Sequence, residues 1–188
     1  MTILRVDGLS KRYPAFCLRD VSFSIEEGRV MGLIGRNGAG KTTTIKSILR
    51  LVRPDGGTVQ FLGKPLDMDA SALRREAGYV SGDLCYYPRK RLSQLTAVTK
   101  SFYPSWDDKK YEALLHRFSL DETKRVCELS AGMKVKYQLA CALSHGAKLL
   151  ILDEPTSGLD PVSRDDLLDL LRTLCEQGGV SILFSTHI

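Results

Sequence analysis

Hydrophobic positions along this chain fall in short runs that alternate with segments of helical spacing. "VMGLIG" (Val30–Gly35) has the composition of a buried strand that ends in a glycine-rich turn. "KTTTIKSILRLV" (Lys41–Val52) follows with helical periodicity. "GGTVQFLG" (Gly56–Gly63) is a strand between glycine breakers, and "AGYVS" (Ala77–Ser81) is a shorter one. A mostly helical block runs from about Arg89 to Leu143. "KLLILDEP" (Lys148–Pro155) is an apolar strand that ends in two acids. Leu167, Leu168, Leu171 and Leu174 then repeat at helical spacing, between a cap-and-proline start at Asp160-Pro161 and a stop at Gly178-Gly179. "VSILFSTH" (Val180–His187) is another buried strand. Strand–helix alternation of this kind predicts an α/β fold with a parallel sheet, interrupted by a helical subdomain.

Composition narrows the setting. The chain has 188 residues, 43% hydrophobic and 26% charged, the profile of one globular domain with a sizeable core. No apolar run is long enough to span a bilayer, and the N-terminus lacks the layout of a secretion signal. Cys17, Cys85, Cys127, Cys141 and Cys175 form no C-x-x-C pair. That argues against zinc and a disulfide framework, and for buried or half-buried thiols in a reducing cytoplasm. Net charge is +5, unevenly placed. Tyr86–Lys100 carries four basic residues and no acid, whereas Asp153–Asp169 carries six acids and one arginine. A basic stretch fits an anionic partner or a solvated face.

Two motifs carry chemistry. "GRNGAGKT" (Gly35–Thr42) fits G-x-x-x-x-G-K-[ST] in full, with a strand before it and a helix after. Gly35, Gly38 and Gly40 let backbone amides turn inward around an anion, with Asn37 inside the loop. The helix that starts near Lys41 adds its positive end. Lys41 is placed to reach β- and γ-phosphates, Thr42 to ligate Mg²⁺ and Thr43 to support the α-phosphate. At the second motif, the strand "LLIL" carries Asp153 and Glu154 to the carboxyl edge of the sheet, where open α/β folds bind ligands. Asp153 is expected to hold Mg²⁺ and Glu154 to polarise an attacking water.

"GRNGAGKTT", "LSAGM", "LLILDEPTSGLDP" and "STH" in that order resemble the ATP-binding subunit of ABC transporters, over essentially the whole chain. The resemblance implies a P-loop NTPase fold with a mostly parallel central sheet, an N-terminal antiparallel β subdomain and an inserted helical subdomain at about 89–143. Residues 1–88 and 144–188 would then form the core. It implies ATP hydrolysis, a head-to-tail dimer of like or unlike subunits around two ATP, and a membrane-spanning permease that holds the subunit at the inner face of the cell membrane. Nucleic acid is not an expected partner. By the same resemblance, Tyr13 stacks on adenine, Ser130 and Gly132 face the γ-phosphate held by the other subunit, Asp160 links the two sites, and His187 contacts the γ-phosphate.

The sequence also departs from the family. Gly82 stands where a metal-ligating glutamine is usual, with Asp83 as a possible substitute through water. Ala131 and Met133 replace a glycine and a glutamine of the signature. Phe102, Tyr103, Trp106 and Tyr111, with the basic Arg89–Arg91, form a candidate permease-docking surface or an internal packing cluster. The "FYPSWD" segment beside a loop without glutamine resembles a bacterial group of small ABC-2-type exporters. The chain ends one residue after His187, so "VSILF" is expected to lack covering neighbours and the native chain to be longer. Two other readings stay open: a nucleotide-binding regulator with little turnover, and a soluble ABC protein acting on nucleic acid.

Overall fold

The computed structural model describes residues 1–66, 70–82 and 87–187. In chain order the elements are β1 (Thr2–Tyr13), β2 (Phe16–Glu26), β3 (Val30–Ile34), α1 (Lys41–Ile48), β4 (Gly56–Phe61), β5 (Lys64–Pro65), α2 (Ser71–Glu76) and β6 (Ala77–Ser81). Then follow α3 (Leu92–Ser101), α4 (Asp108–Arg117), a 3₁₀ turn at Val126–Glu128, α5 (Ala131–Ser144), β7 (Leu149–Asp153), α6 (Pro161–Gly178) and β8 (Ser181–Thr186). They form two sheets. One is antiparallel in the order β2-β1-β4-β5, the other parallel in the order β3-β8-β7-β6. The parallel sheet is the one the strand–helix alternation predicts, and the antiparallel sheet is the one the resemblance implies.

Strand β7 shows how the sheet divides the core. Its residues alternate between faces with period two. Leu150 and Leu152 join a cluster with Leu139 and Leu143 of α5 and Leu167 and Leu171 of α6. Leu149 and Ile151 join the opposite cluster, with Ile45 and Ile48 of α1 and Ile3, Leu4 and Val6 of β1. These four apolar residues are fully buried, so truncating one to alanine would cost about 2–5 kcal/mol. The strand's carboxyl end is therefore anchored from both sides, and Asp153 follows directly.

Several expectations need correction. Val30–Gly35 is not a buried strand: β3 is the outer strand of the parallel sheet, with Val30 46% and Ile34 71% exposed. The strand expected to be uncovered, β8, instead lies between β3 and β7, and Ile182 and Leu183 are fully buried. Of the two readings of the four aromatics, the common docking surface fails and internal packing holds for most of them. Tyr111 is buried, Trp106 packs against the core, and Tyr103 stacks on His145 at 3.9 Å. Phe102 alone of the four stands out as exposed, at 73%. Nor are the thiols uniformly hidden, since Cys127 is exposed. Leu168 is the exposed member of its leucine set. Asp83 and Cys85 lie outside the described residues, as does Ile188.

Candidate nucleotide site

The loop from β3 to α1 borders a cavity of about 640 Å³. Asn37, Gly38, Ala39, Gly40, Lys41, Thr42 and Thr43 line one side of it. Gly38 and Gly40 hold φ of 80° and 99°, where a side chain is strained. At Gly40 a Cβ would also come within 2.8 Å of the Phe16 ring. So α1 starts on a left-handed glycine with no side-chain cap, leaving its first amides for an anion. Gly35 sits behind the loop: its N–H donates to the Thr186 carbonyl at 3.2 Å, and its own carbonyl accepts from Lys41 Nζ at 2.7 Å.

Glu154 and His187 also line the cavity. Glu154 lies between two bases, with Oε1 3.0 Å from Lys41 Nζ and Oε2 2.6 Å from His187 Nδ1. Burial pushes its carboxyl up, but hydrogen bonds from His187 and Lys41 outweigh that and hold it below the usual glutamate value. Its backbone is unusual as well, with φ of 51° at a non-glycine residue. Such strain costs on the order of 1–3 kcal/mol and persists only where the surroundings enforce it. Here the Glu154 N–H donates to Ser185 Oγ at 2.9 Å, and the Glu154 carbonyl accepts from the Ser157 N–H at 3.0 Å.

Asp153 and Thr42 are in direct contact. Thr42 Oγ1 donates to Asp153 Oδ1 at 3.1 Å, and Ser185 Oγ donates to the same oxygen at 2.7 Å. Among the described residues no group of three or more His, Cys, Asp or Glu side chains gathers to hold a metal. A hydroxyl and one carboxylate still fit Mg²⁺, which takes few protein oxygens and fills its shell with phosphate and water.

The remaining predicted residues stand elsewhere. Tyr13 does not line the cavity; Ala15 and Phe16 do, and Tyr13 pairs with Phe16 across the β1–β2 hairpin with the Lys11 ammonium 5.7 Å from its ring centre. Ser130 caps α5 by accepting from the Met133 N–H at 3.2 Å. Ala131 has no positive φ, so the alanine there costs no backbone strain. Asp160 caps α6 through the Ser163 N–H at 3.0 Å and also accepts from the Ser163 hydroxyl, which holds its carboxyl below the usual range. Ser130, Gly132 and Asp160 are absent from the cavity wall. Gly132 lies beside Leu159, next to Asp160 in the chain.

Sequence reasoning missed three contributors. Phe16 and Ser157 line the cavity, and Ser185 orients Asp153 while holding the Glu154 backbone. A serine in an apolar strand and an aromatic after a turn are common, so only the "STH" cluster offered a signal.

A phosphate cradle, an acid pair and a histidine on one sheet edge define an ATP-binding cassette. The ABC transporter family profile matches residues 18–157, and the chain belongs to that family. It is 34% identical to the ABC transporter ATP-binding protein YtrB of Bacillus subtilis (strain 168), over 90% of this chain and 58% of that protein. It is 36% identical to the Nod factor export ATP-binding protein I of Burkholderia orbicola (strain AU 1054), over 100% of this chain and 64% of that protein. Import as well as export subunits occur among the similar proteins. The chain thus spans about three fifths of the length of these curated relatives. Among solved structures, an ATP-binding subunit of an ABC transporter superposes with a TM-score of 0.83 at 34% identity, covering 99% of this chain and 80% of that one.

Proposed function

We propose that this protein is an ATP-hydrolysing subunit that pairs head to tail with a second cassette and powers a membrane-spanning permease. The observation that carries the reading is the gathering of Lys41, Glu154 and His187 at 3.0 and 2.6 Å, with Thr42 and Asp153 alongside. Lys41 and the loop amides bind the phosphates. Incoming phosphate draws Lys41 from Glu154, which frees the carboxylate to orient and deprotonate a water. His187 keeps Glu154 in place. When bound, Mg²⁺, held by Thr42 and Asp153, would neutralise charge on the β- and γ-phosphates.

Dimerisation is inferred from what the cavity lacks. Ser130 and Asp160 are exposed and outside it, so they are available to a nucleotide held by another subunit. As the permease contact we propose the exposed Val98 and Phe102 toward the C-terminal end of α3, with the exposed basic Arg89–Arg91 just before its first residue. Among the described residues no helix is long and apolar enough to cross a membrane. The "FYPSWD" resemblance supports export; accumulation of cargo in inside-out vesicles on ATP addition tests it.

Steady-state ATPase measurement tests the central reading. Glu154→Gln is expected to bind ATP, hold a stable dimer and lose about 100-fold or more in turnover. Unchanged turnover would remove Glu154 as the base.

A further inference from the structure

Helix α5 climbs along strand β6 on one face, and its residues four apart meet successive points of the strand. At the lower end Ala142 approaches so closely that a Cβ on Gly78 would lie 2.3 Å from it. One turn up, the carboxamide of Gln138 meets Ser81. Its Oε1 accepts from the Ser81 N–H at 3.1 Å, and its Nε2 donates to the Ser81 carbonyl at 2.9 Å. Nε2 also donates to the Lys134 carbonyl at 3.3 Å, which fixes the amide orientation. Another turn up, Lys134 and Ala131 face a second cavity of about 350 Å³, lined also by Gly82, Asp153, Glu154 and Ser157.

β6 is an outer strand, and Ser81 is its last residue. One edge of this strand end is joined to β7: Ser81 pairs with Asp153, and the Gly82 N–H donates to the Asp153 carbonyl at 3.0 Å. The bidentate Gln138 contact reproduces strand pairing with a side chain, on the edge of β6 that carries no strand among the described residues. Gly82 must stay bare, because a Cβ there would lie 2.4 Å from the Glu154 carbonyl oxygen. A glutamine at position 82 would displace that backbone. Gln138 thus links the helix that begins at Ser130 to the strand end that pairs with Asp153.

We propose that Gln138 is a positioning residue for hydrolysis, its carboxamide clamping Ser81 so that the start of α5 and the Asp153–Glu154 turn keep a fixed geometry. This rests on the ATPase reading. Gln138 touches no reacting atom and acts through Ser81.

The test uses Gln138→Met, which keeps the volume and loses both hydrogen bonds, with Gln138→Ala as the second variant. Steady-state kinetics on the full chain should show kcat lowered about tenfold in Gln138→Met, since small misplacements near a reacting centre carry penalties of this order. KM for ATP and nucleotide affinity should stay within about twofold, because the cradle of Lys41 and Thr42 is untouched. In a double-variant cycle with Ser130→Ala, the two losses should overlap instead of multiplying. A kcat for both Gln138 variants within about twofold of the parent would overturn the proposal, as would losses that multiply fully. Absence of turnover in the parent chain would instead refute the ATPase reading.

Discussion

Glu154 concentrates several constraints in one residue: a left-handed backbone, two basic partners and a carbonyl walled in by Gly82. Its folded pKa lies below the ordinary value, so its contribution to stability is present above the unfolded carboxylate pKa and is lost as pH falls through the lower folded one. Urea melts should therefore show the stability gap between the parent and Glu154→Gln narrowing as pH drops below about 4.3. A gap independent of pH would contradict the pairing. Phe16 makes a second case. As the aromatic of the cavity wall, it should lose about 1–3 kcal/mol of nucleotide binding on Phe16→Ala, by analogy with base stacking. Tyr13→Ala should do less, and a fluorescent-nucleotide titration ranks the two. The reverse ranking would favour Tyr13 as the residue against adenine.

Capping decides where the working helices begin. α6 starts at Asp160 with proline next to it and ends on Gly179 at φ of 62°, as the Asp160-Pro161 and Gly178-Gly179 pairs predict. Asp160→Ala should cost about 1 kcal/mol for the lost cap and lower the melting temperature by roughly 2–4 °C. A calorimetric scan without nucleotide reads this part alone, and an unshifted melt would deny the cap any weight. α5 was equally legible, because Ser130 announces its start and Val135, Leu139 and Leu143 mark its buried face. The aromatic block before it was less so. Phe102, Tyr103, Trp106 and Tyr111 look alike in composition, yet one is exposed and three are packed or stacked. Only the placement of α3 and α4 against α5 sorts them.

For the whole molecule, the proposed dimer gives the sharpest test. Ser130→Arg should abolish ATP-driven pairing while leaving nucleotide binding to the monomer unchanged, since Ser130 lies outside the cavity that holds Lys41 and Thr42. Light scattering with ATP, on the Glu154→Gln background, measures it. A dimer that persists in the arginine variant would move the interface elsewhere.

The sequence by itself determined the parallel α/β order, the phosphate loop and the acid pair at the end of an apolar strand. These are local: a glycine pattern fixes a turn, and an apolar strand of period two fixes its own ends. Tertiary structure decided the rest, because it depends on neighbours distant in the chain. It put β8 in the middle of its sheet and β3 at the edge, although both are short apolar runs. It set Phe16 instead of Tyr13 at the cavity wall through the register of one hairpin. It brought Ser185 to Asp153 and Gln138 to Ser81, pairings that no motif announces and that form only where a helix and three strands meet.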